Sequence, residues 1–511
     1  MMTAMKSKPS KQTSNVLMVK SKPATAVSLH TKFQMAVSFH SQGSWQDAAV
    51  LYDDIIAAQP GHADALHMRG MLHAQASEHA QAVKLISQAI ALDATKSAYF
   101  NNRGLAFLAQ QSLTEALADF QQSIALEPRL AQAHCNLGNV LQELLRFEAA
   151  LLCFDRAIDL QPDYADAYFN RGNLWVIFKR PDKAIEDFDR ALGFFPDDAD
   201  FKYNKSIALL INGQYESGWK FHEARWDRAS TKHLRRQFSA TLWLGRENIK
   251  NKKILLYAEQ GLGDTIQFIR YVHMVVQLGA QVFVEIQSPL IQLFQGMEDV
   301  ITWIKKGEAL PIIDFHCPLM SLPLAFKTRL NNIPSFPSYL SCDKTKKKVW
   351  ENKLAPKNKP RIGIAWSGSS THKNDQNRSI SLAVFKSIIS DDAVFYSLQN
   401  EYRAHDIELI HDHPEIIDSS DQLQDFSDTA SLCDLMDLII TVDTSVAHLS
   451  GALGKSTWVL VPHNPDFRWF VDRQDSPWYP SIKLFRQNSF HDWNQTLAEL
   501  SLELKKFIAT E

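Results

Sequence analysis

The chain has 511 residues, 45% of them apolar and 22% charged, with a formal charge of −3. That length suggests three or more structural units of soluble composition, and the near-neutral charge gives no global reason to expect a nucleic-acid or anionic-membrane partner. Five scattered cysteines (Cys135, Cys153, Cys317, Cys342 and Cys433) form no C-x-x-C pair; this argues against a disulfide framework or a zinc site and suits a reducing cytoplasm. No apolar run approaches the ~20 residues of a membrane span.

Residues 1–30 read as a disordered basic tail, with Lys6, Lys8, Lys11, Lys20 and Lys22 and no acid before Asp47. A repeat follows. Pro60, Pro128, Pro162 and Pro196 fall on a 34-residue spacing, with Ala94 at the missing node. Gly70, Gly104, Gly138 and Gly172 share a second phase; Ala48, Ala82, Ala116, Ala150 and Ala184 a third; Phe120, Phe154 and Phe188 a fourth. This pattern resembles the tetratricopeptide repeat (TPR) over residues 31–226, about six helix pairs. Small residues let paired helices approach, the aromatic fills the gap between units, and proline ends the second helix. The expected product is an α-helical superhelix with a concave groove. The last pair, 201–226, carries Ser206 where glycine is expected and is crowded with Trp219, Phe221 and Trp226, so it reads as a cap that docks on the next domain. Residues 227–249 are a connector anchored by Trp243.

Asn102, Asn136, Asn170 and Asn204 also recur every 34 residues. Asparagine is a mediocre helix former, so packing does not explain it. The motifs NLGN and NRGN around Asn136 and Asn170 resemble the repeats of the O-linked N-acetylglucosamine transferases. That resemblance implies asparagines lining the groove and binding an extended peptide; a carboxamide both donates and accepts, so it pairs with any peptide bond. The alternative is that each asparagine bonds the backbone of the adjacent repeat.

The second half alternates strands and helices, which implies α/β architecture with parallel sheets. Residues 254–258 form an apolar strand, 259–264 a glycine turn, 265–278 a helix and 281–286 the next strand. Short strands follow at 300–304 and 312–315. A first lobe is expected over 250–345, a linker over 346–360 and a second lobe over 361–511. In the second lobe, strand 361–366 leads into a polar loop, 367–378. Later, 438–442 forms a buried strand, then Asp443, Thr444 and Ser445 supply N-capping oxygens for a helix of small residues. Ligands of open α/β sheets bind beyond the carboxyl ends of strands, and helix N-termini attract phosphate. Thr444, Ser445, Val446 and Ala447 are therefore candidates to hold a diphosphate.

Two such lobes resemble the GT-B glycosyltransferases. V-D-T-S-V-A-H-L at 442–449, followed by G-A-L-G-K, resembles the donor signature of glycosyltransferase family 9, the heptosyltransferase group. The resemblance implies an inverting, metal-independent transferase with two Rossmann-like lobes, a nucleotide-diphosphate sugar as co-substrate and no resident cofactor. The repeats would present a peptide or protein segment, or a glycan, as acceptor. Asp264 sits where that family keeps its catalytic aspartate, as general base for the acceptor hydroxyl; the alternative is a helix cap. Lys373 and Arg378 are expected to neutralise the leaving diphosphate, with Asp443 orienting the loop and His448 near the donor. Gln260, Gly263 and Gln267 are acceptor-side candidates. His463, Asp466, Arg468 and Trp469 form a loop that either reads the sugar or base or covers the cleft. Two rival expectations are a protein-binding scaffold with a silent transferase fold and a nucleotide-sugar epimerase.

Overall fold

The computed structural model describes residues 27–295, 297, 300–372 and 374–510. Lys373 and most of the expected basic tail lie outside the described residues; residues 29 and 30, assigned to that tail, belong to the first helix. The chain divides into a unit ending at Ala150 and a unit starting at Leu151.

The first unit carries helices Leu29–Ser41, Trp45–Ala58, Ala63–Gln75, His79–Leu92, Ser97–Ala109, Leu113–Leu126 and Ala131–Glu143. Their lengths alternate between 13 and 14 residues, which with the turns makes the 34-residue step. Ala48, Ala82 and Ala116 are fully buried. A Cβ on Gly104 would come within 2.8 Å of the Phe120 ring. The aromatic therefore packs on the bare backbone of its own helix pair, rather than only between units as the sequence suggested. The turn inside each pair ends on a left-handed residue, again every 34: Gly43, Ser77, Gln111 and Leu145, with φ of 77°, 63°, 61° and 57°. A side chain in that conformation costs roughly 1–2 kcal/mol, so packing of the pairs overrides local preference at three of these four turns.

The second unit continues the pattern with Ala165–Ile177, Pro181–Phe194, Ala199–Ile211 and Tyr215–His222, the last running into a 3-10 turn, Glu223–Trp226. A Cβ on Gly172 would lie 2.8 Å from Phe188, the same arrangement as in the first unit. Trp219 is buried against Phe268 and Phe467, and Tyr215 Oη accepts from Trp478 Nε1 at 3.1 Å. The final pair is thus built into the α/β region.

Two sheets follow. The first contains β1 (Thr241–Leu242), β2 (Lys253–Tyr257), β3 (Gln281–Ile286), β4 (Ile301–Lys305) and β5 (Phe315–Pro318), all parallel, in the order β1-β5-β2-β3-β4. Part of the expected connector is therefore an edge strand. The second contains β6 (Arg361–Ala365), β7 (Val394–Ser397), β8 (Ile416–Ile417), β9 (Leu438–Val442), β10 (Thr457–Val461), β11 (Asp475–Ser476) and β12 (Tyr479–Arg486). Its order is β11-β12-β10-β9-β6-β7-β8, parallel except for the β11–β12 pair. Strands β9 and β10 are buried along their whole length, as expected for a sheet covered on both faces. The closing helix Asn494–Ile508 covers one face through Leu497, Leu500 and Leu504.

Each sheet reverses its strand order once. In the first sheet the reversal lies between β2 and β5; in the second it lies between β6 and β9. These reversals are where an open α/β sheet offers a crevice. No helix among the described residues is long and apolar enough to cross a membrane.

Candidate functional site

The turn after β2 and the turn after β9 meet. The expected single helix 265–278 is instead Leu262–Phe268, a 3-10 turn Ile269–Tyr271 and Val272–Gln277. The Leu262–Phe268 helix crosses the Ser445–Ala452 helix so closely that a Cβ on Gly263 would stand 2.7 Å from His448 Cδ2 and 3.5 Å from Ser445 Cα. Gly263 is thus a close-approach glycine between helices.

Asp264 is the third residue of its helix. Its Oδ2 accepts the Gly261 N–H at 2.9 Å, and its Oδ1 accepts from Arg468 Nη2. The cap alternative is therefore realised in the geometry. The carboxylate still has lone pairs for a further donor, because two oxygens offer about four acceptor sites. Arg468 is 6% exposed; it also donates through Nη1 to Asp466 at 2.8 Å and through Nε to Gln267 Oε1. Gln267 is fully buried and its Nε2 has no hydrogen-bond partner, so it supports Arg468 rather than facing solvent. Gln260 lies exposed in the turn, its carbonyl accepting from Gln287 Nε2 at 2.8 Å.

On the second turn, Thr444 precedes the Ser445–Ala452 helix in extended backbone, and no side chain caps that helix. The leading N–H groups of such a helix carry partial positive charge. Arg378, from the loop after β6, donates through Nη1 to the Asp443 carbonyl at 3.0 Å, bridging the reversal between β6 and β9. Its Nε is buried without a hydrogen-bond partner. A Cβ on Gly368 would come within 2.6 Å of Arg378 Nη2, so glycine lets the guanidinium lie on the loop. Asp443 is held well above the usual carboxylate range by burial and by the Asp466 carboxylate, with Arg378 and Arg468 opposing. Burial, and then Arg468, Arg270 and Arg378, push the His448 imidazole well below its ordinary value. His448 is therefore neutral; its Nδ1 meets Tyr479 Oη at 2.9 Å and its ring stacks on Trp469.

Val446 and Ala447 are buried, and the Ala447 N–H donates to the Thr444 carbonyl at 3.0 Å. The N–H groups of Ser445 and Val446 are the ones that begin the helix. Sequence reasoning missed Arg270. Its Nη1 donates to the Trp478 carbonyl at 2.7 Å and its Nη2 to Tyr339 Oη at 3.1 Å, holding the two sheets' segments together. The signal was one arginine inside the apolar run 266–276.

Three of the four repeated asparagines already hydrogen-bond to side chains within their own unit. Asn136 is 7% exposed and donates to Asn101 Oδ1 at 2.9 Å. Asn102 Nδ2 meets His67 Nε2 at 2.9 Å, and in the second unit Asn204 donates to Asn173 Oδ1 at 2.7 Å. Asn170 is half-buried. For Asn102, Asn136 and Asn204 these partners are side chains of the preceding repeat rather than its backbone.

Residues 33–99 and 135–199 match the tetratricopeptide repeat family, and residues 104–144 match a further TPR repeat family. The chain is 23% identical over 342 residues to protein FlbA of Caulobacter vibrioides, covering 60% of this chain and 55% of that protein. It thus spans about half the length of that curated relative. Among solved structures, YrrB, described as a TPR protein with an unusual peptide-binding site, is 20% identical over 35% of this chain and 93% of its own, with a TM-score of 0.30. PilW, described as a type IV pilus biogenesis factor, is 17% identical over 40% of this chain and 94% of its own, with a TM-score of 0.37.

Proposed function

We propose that the chain is a glycosyltransferase that moves a sugar from a nucleotide-diphosphate sugar to a protein or glycan acceptor presented by its repeats. The observation that supports this reading is the close meeting of the two turns, with Asp264 on one and the uncapped Ser445–Ala452 helix on the other. The leaving diphosphate would sit on the Ser445 and Val446 N–H groups beside Arg378, where helix dipole and guanidinium offset its charge. The acceptor hydroxyl would pass its proton to Asp264 as its oxygen attacks the anomeric carbon and the C–O bond to the diphosphate breaks. Arg468 would hold that carboxylate in place. The resemblance of 442–449 to family 9 donor signatures supports the same assignment.

The test is titration with a panel of nucleotide sugars, followed by product analysis. Asp264→Asn is expected to lose transfer by at least ~100-fold while donor affinity stays within about twofold. Retained turnover would remove Asp264 from the chemistry. One observation favours a second reading, a protein-binding scaffold: both Asp264 oxygens already accept hydrogen bonds. In that reading no nucleotide sugar binds.

A further inference from the structure

The first sheet's own reversal, between β2 and β5, is filled. Arg225 enters it from the Glu223–Trp226 turn that ends the repeats. Its Nη2 donates to Glu259 Oε1 at 3.1 Å and to Ser321 Oγ at 2.7 Å, and its Nη1 to Glu223 Oε1 at 2.5 Å. Glu259 Oε1 also accepts the Met320 N–H at 3.3 Å. The side chains of Arg225 and Glu259 are 4% and 7% exposed. Glu259 opens the turn that ends at Asp264, and Gly261, midway, donates to Asp264. On the far side the turn is tied through Gln287, which accepts from Thr265 Oγ1 at 2.9 Å and donates to the Gln260 carbonyl.

We propose that Arg225 and Glu259 are a positioning pair through which the cap of the repeats sets where Asp264 stands. A buried ion pair is poor value as a stabiliser, because apolar residues of similar volume do as well or better; its use is to fix one arrangement among several. Here it links a 3-10 turn of the repeats to a carboxylate five residues further along one tight turn. Arg225 thus ties the helices that would present the acceptor directly to the turn that carries Asp264, beside the apolar packing of Trp219 on Phe268 and Phe467. This inference rests on the proposed transferase for its catalytic meaning; its structural content does not.

The test is amide exchange over 259–265 in the full-length chain, for Glu259→Gln, Arg225→Gln and the double variant. Each single change is expected to speed exchange about tenfold, with the double variant no faster than Arg225→Gln, since either change already breaks the Arg225–Glu259 contact. Arg225→Lys, which keeps the charge, is expected within about threefold of the parent. If a nucleotide sugar is turned over, kcat should fall by a similar factor while donor Kd holds. Unchanged exchange in Glu259→Gln, or a double variant whose factor is the product of the singles, overturns the pair. A parent that binds no nucleotide sugar removes the transferase reading while the exchange result still decides this one.

Discussion

The repeats and the α/β region use arginine in opposite ways. In the repeats Arg69, Arg103 and Arg171 recur on the 34-residue step, and each reaches an aspartate sixteen residues away: Asp53 behind it, Asp119 and Asp187 ahead. These pairs are short, local and partly wet. In the α/β region Arg225, Arg270 and Arg468 are 2–6% exposed, occur once each, and join segments far apart in sequence. The periodic ion pairs join neighbouring helices of the repeats, with Asp119 and Asp187 buried, whereas the single arginines of the α/β region decide how separate segments meet.

Removing Arg468 should break this contrast most visibly. Arg468→Met strands Asp264, Asp466 and Gln267 together, and about 3–5 kcal/mol of stability should go, read as the shift of the denaturant transition followed by tryptophan fluorescence. A loss under ~1 kcal/mol would place Arg468 with the surface pairs. His67 extends the same logic to the repeats. Burial lowers its pKa to about 4 against the Asp64 carboxylate, which opposes. A group whose folded pKa is depressed contributes fully above its unfolded pKa near ~6.5, so its share is lost as pH falls from there towards 4. The full share is about 3 kcal/mol; His67→Gln should flatten that slope, and an unaltered slope would contradict a buried, neutral His67.

Gly263→Ala should cost about 1–3 kcal/mol and weaken donor binding, because the new methyl meets a His448 ring already tied to Tyr479. A silent substitution would mean the two helices can part freely. Asn136→Ala should cost about 1–2 kcal/mol by leaving Asn101 Oδ1 without its donor. If stability is unchanged and only peptide binding falls, Asn136 serves the groove after all. Arg69→Met, at the wet end of the scale, should change stability by less than ~1 kcal/mol.

What was legible follows the same division. The 34-residue step exposed the helix pairs, because each repeat meets the same neighbours and must solve the same packing problem. The left-handed turns at Ser77, Gln111 and Leu145 were not legible, since glycine, the usual signal, stands only at Gly43 and Gly213 in that phase. The asparagines were legible as a pattern but not as a partner choice: a carboxamide serves a peptide or a neighbouring side chain equally well. Strand β9 and the helix after it could be read from apolar composition and the Asp443–Thr444–Ser445 turn. That Asp264 is held by Arg468, 204 residues later, could not, because nothing local in either segment marks the contact.

The central claim is that a diphosphate is held at the start of the Ser445–Ala452 helix beside Arg378. The most direct measurement is calorimetric titration of the full chain and of Arg378→Met with a set of nucleoside diphosphates. At least one should bind the parent, and the variant should bind it about tenfold or more weakly, the loss of one charge-assisted contact. Absence of binding to the parent, or equal affinity in both, would contradict the claim.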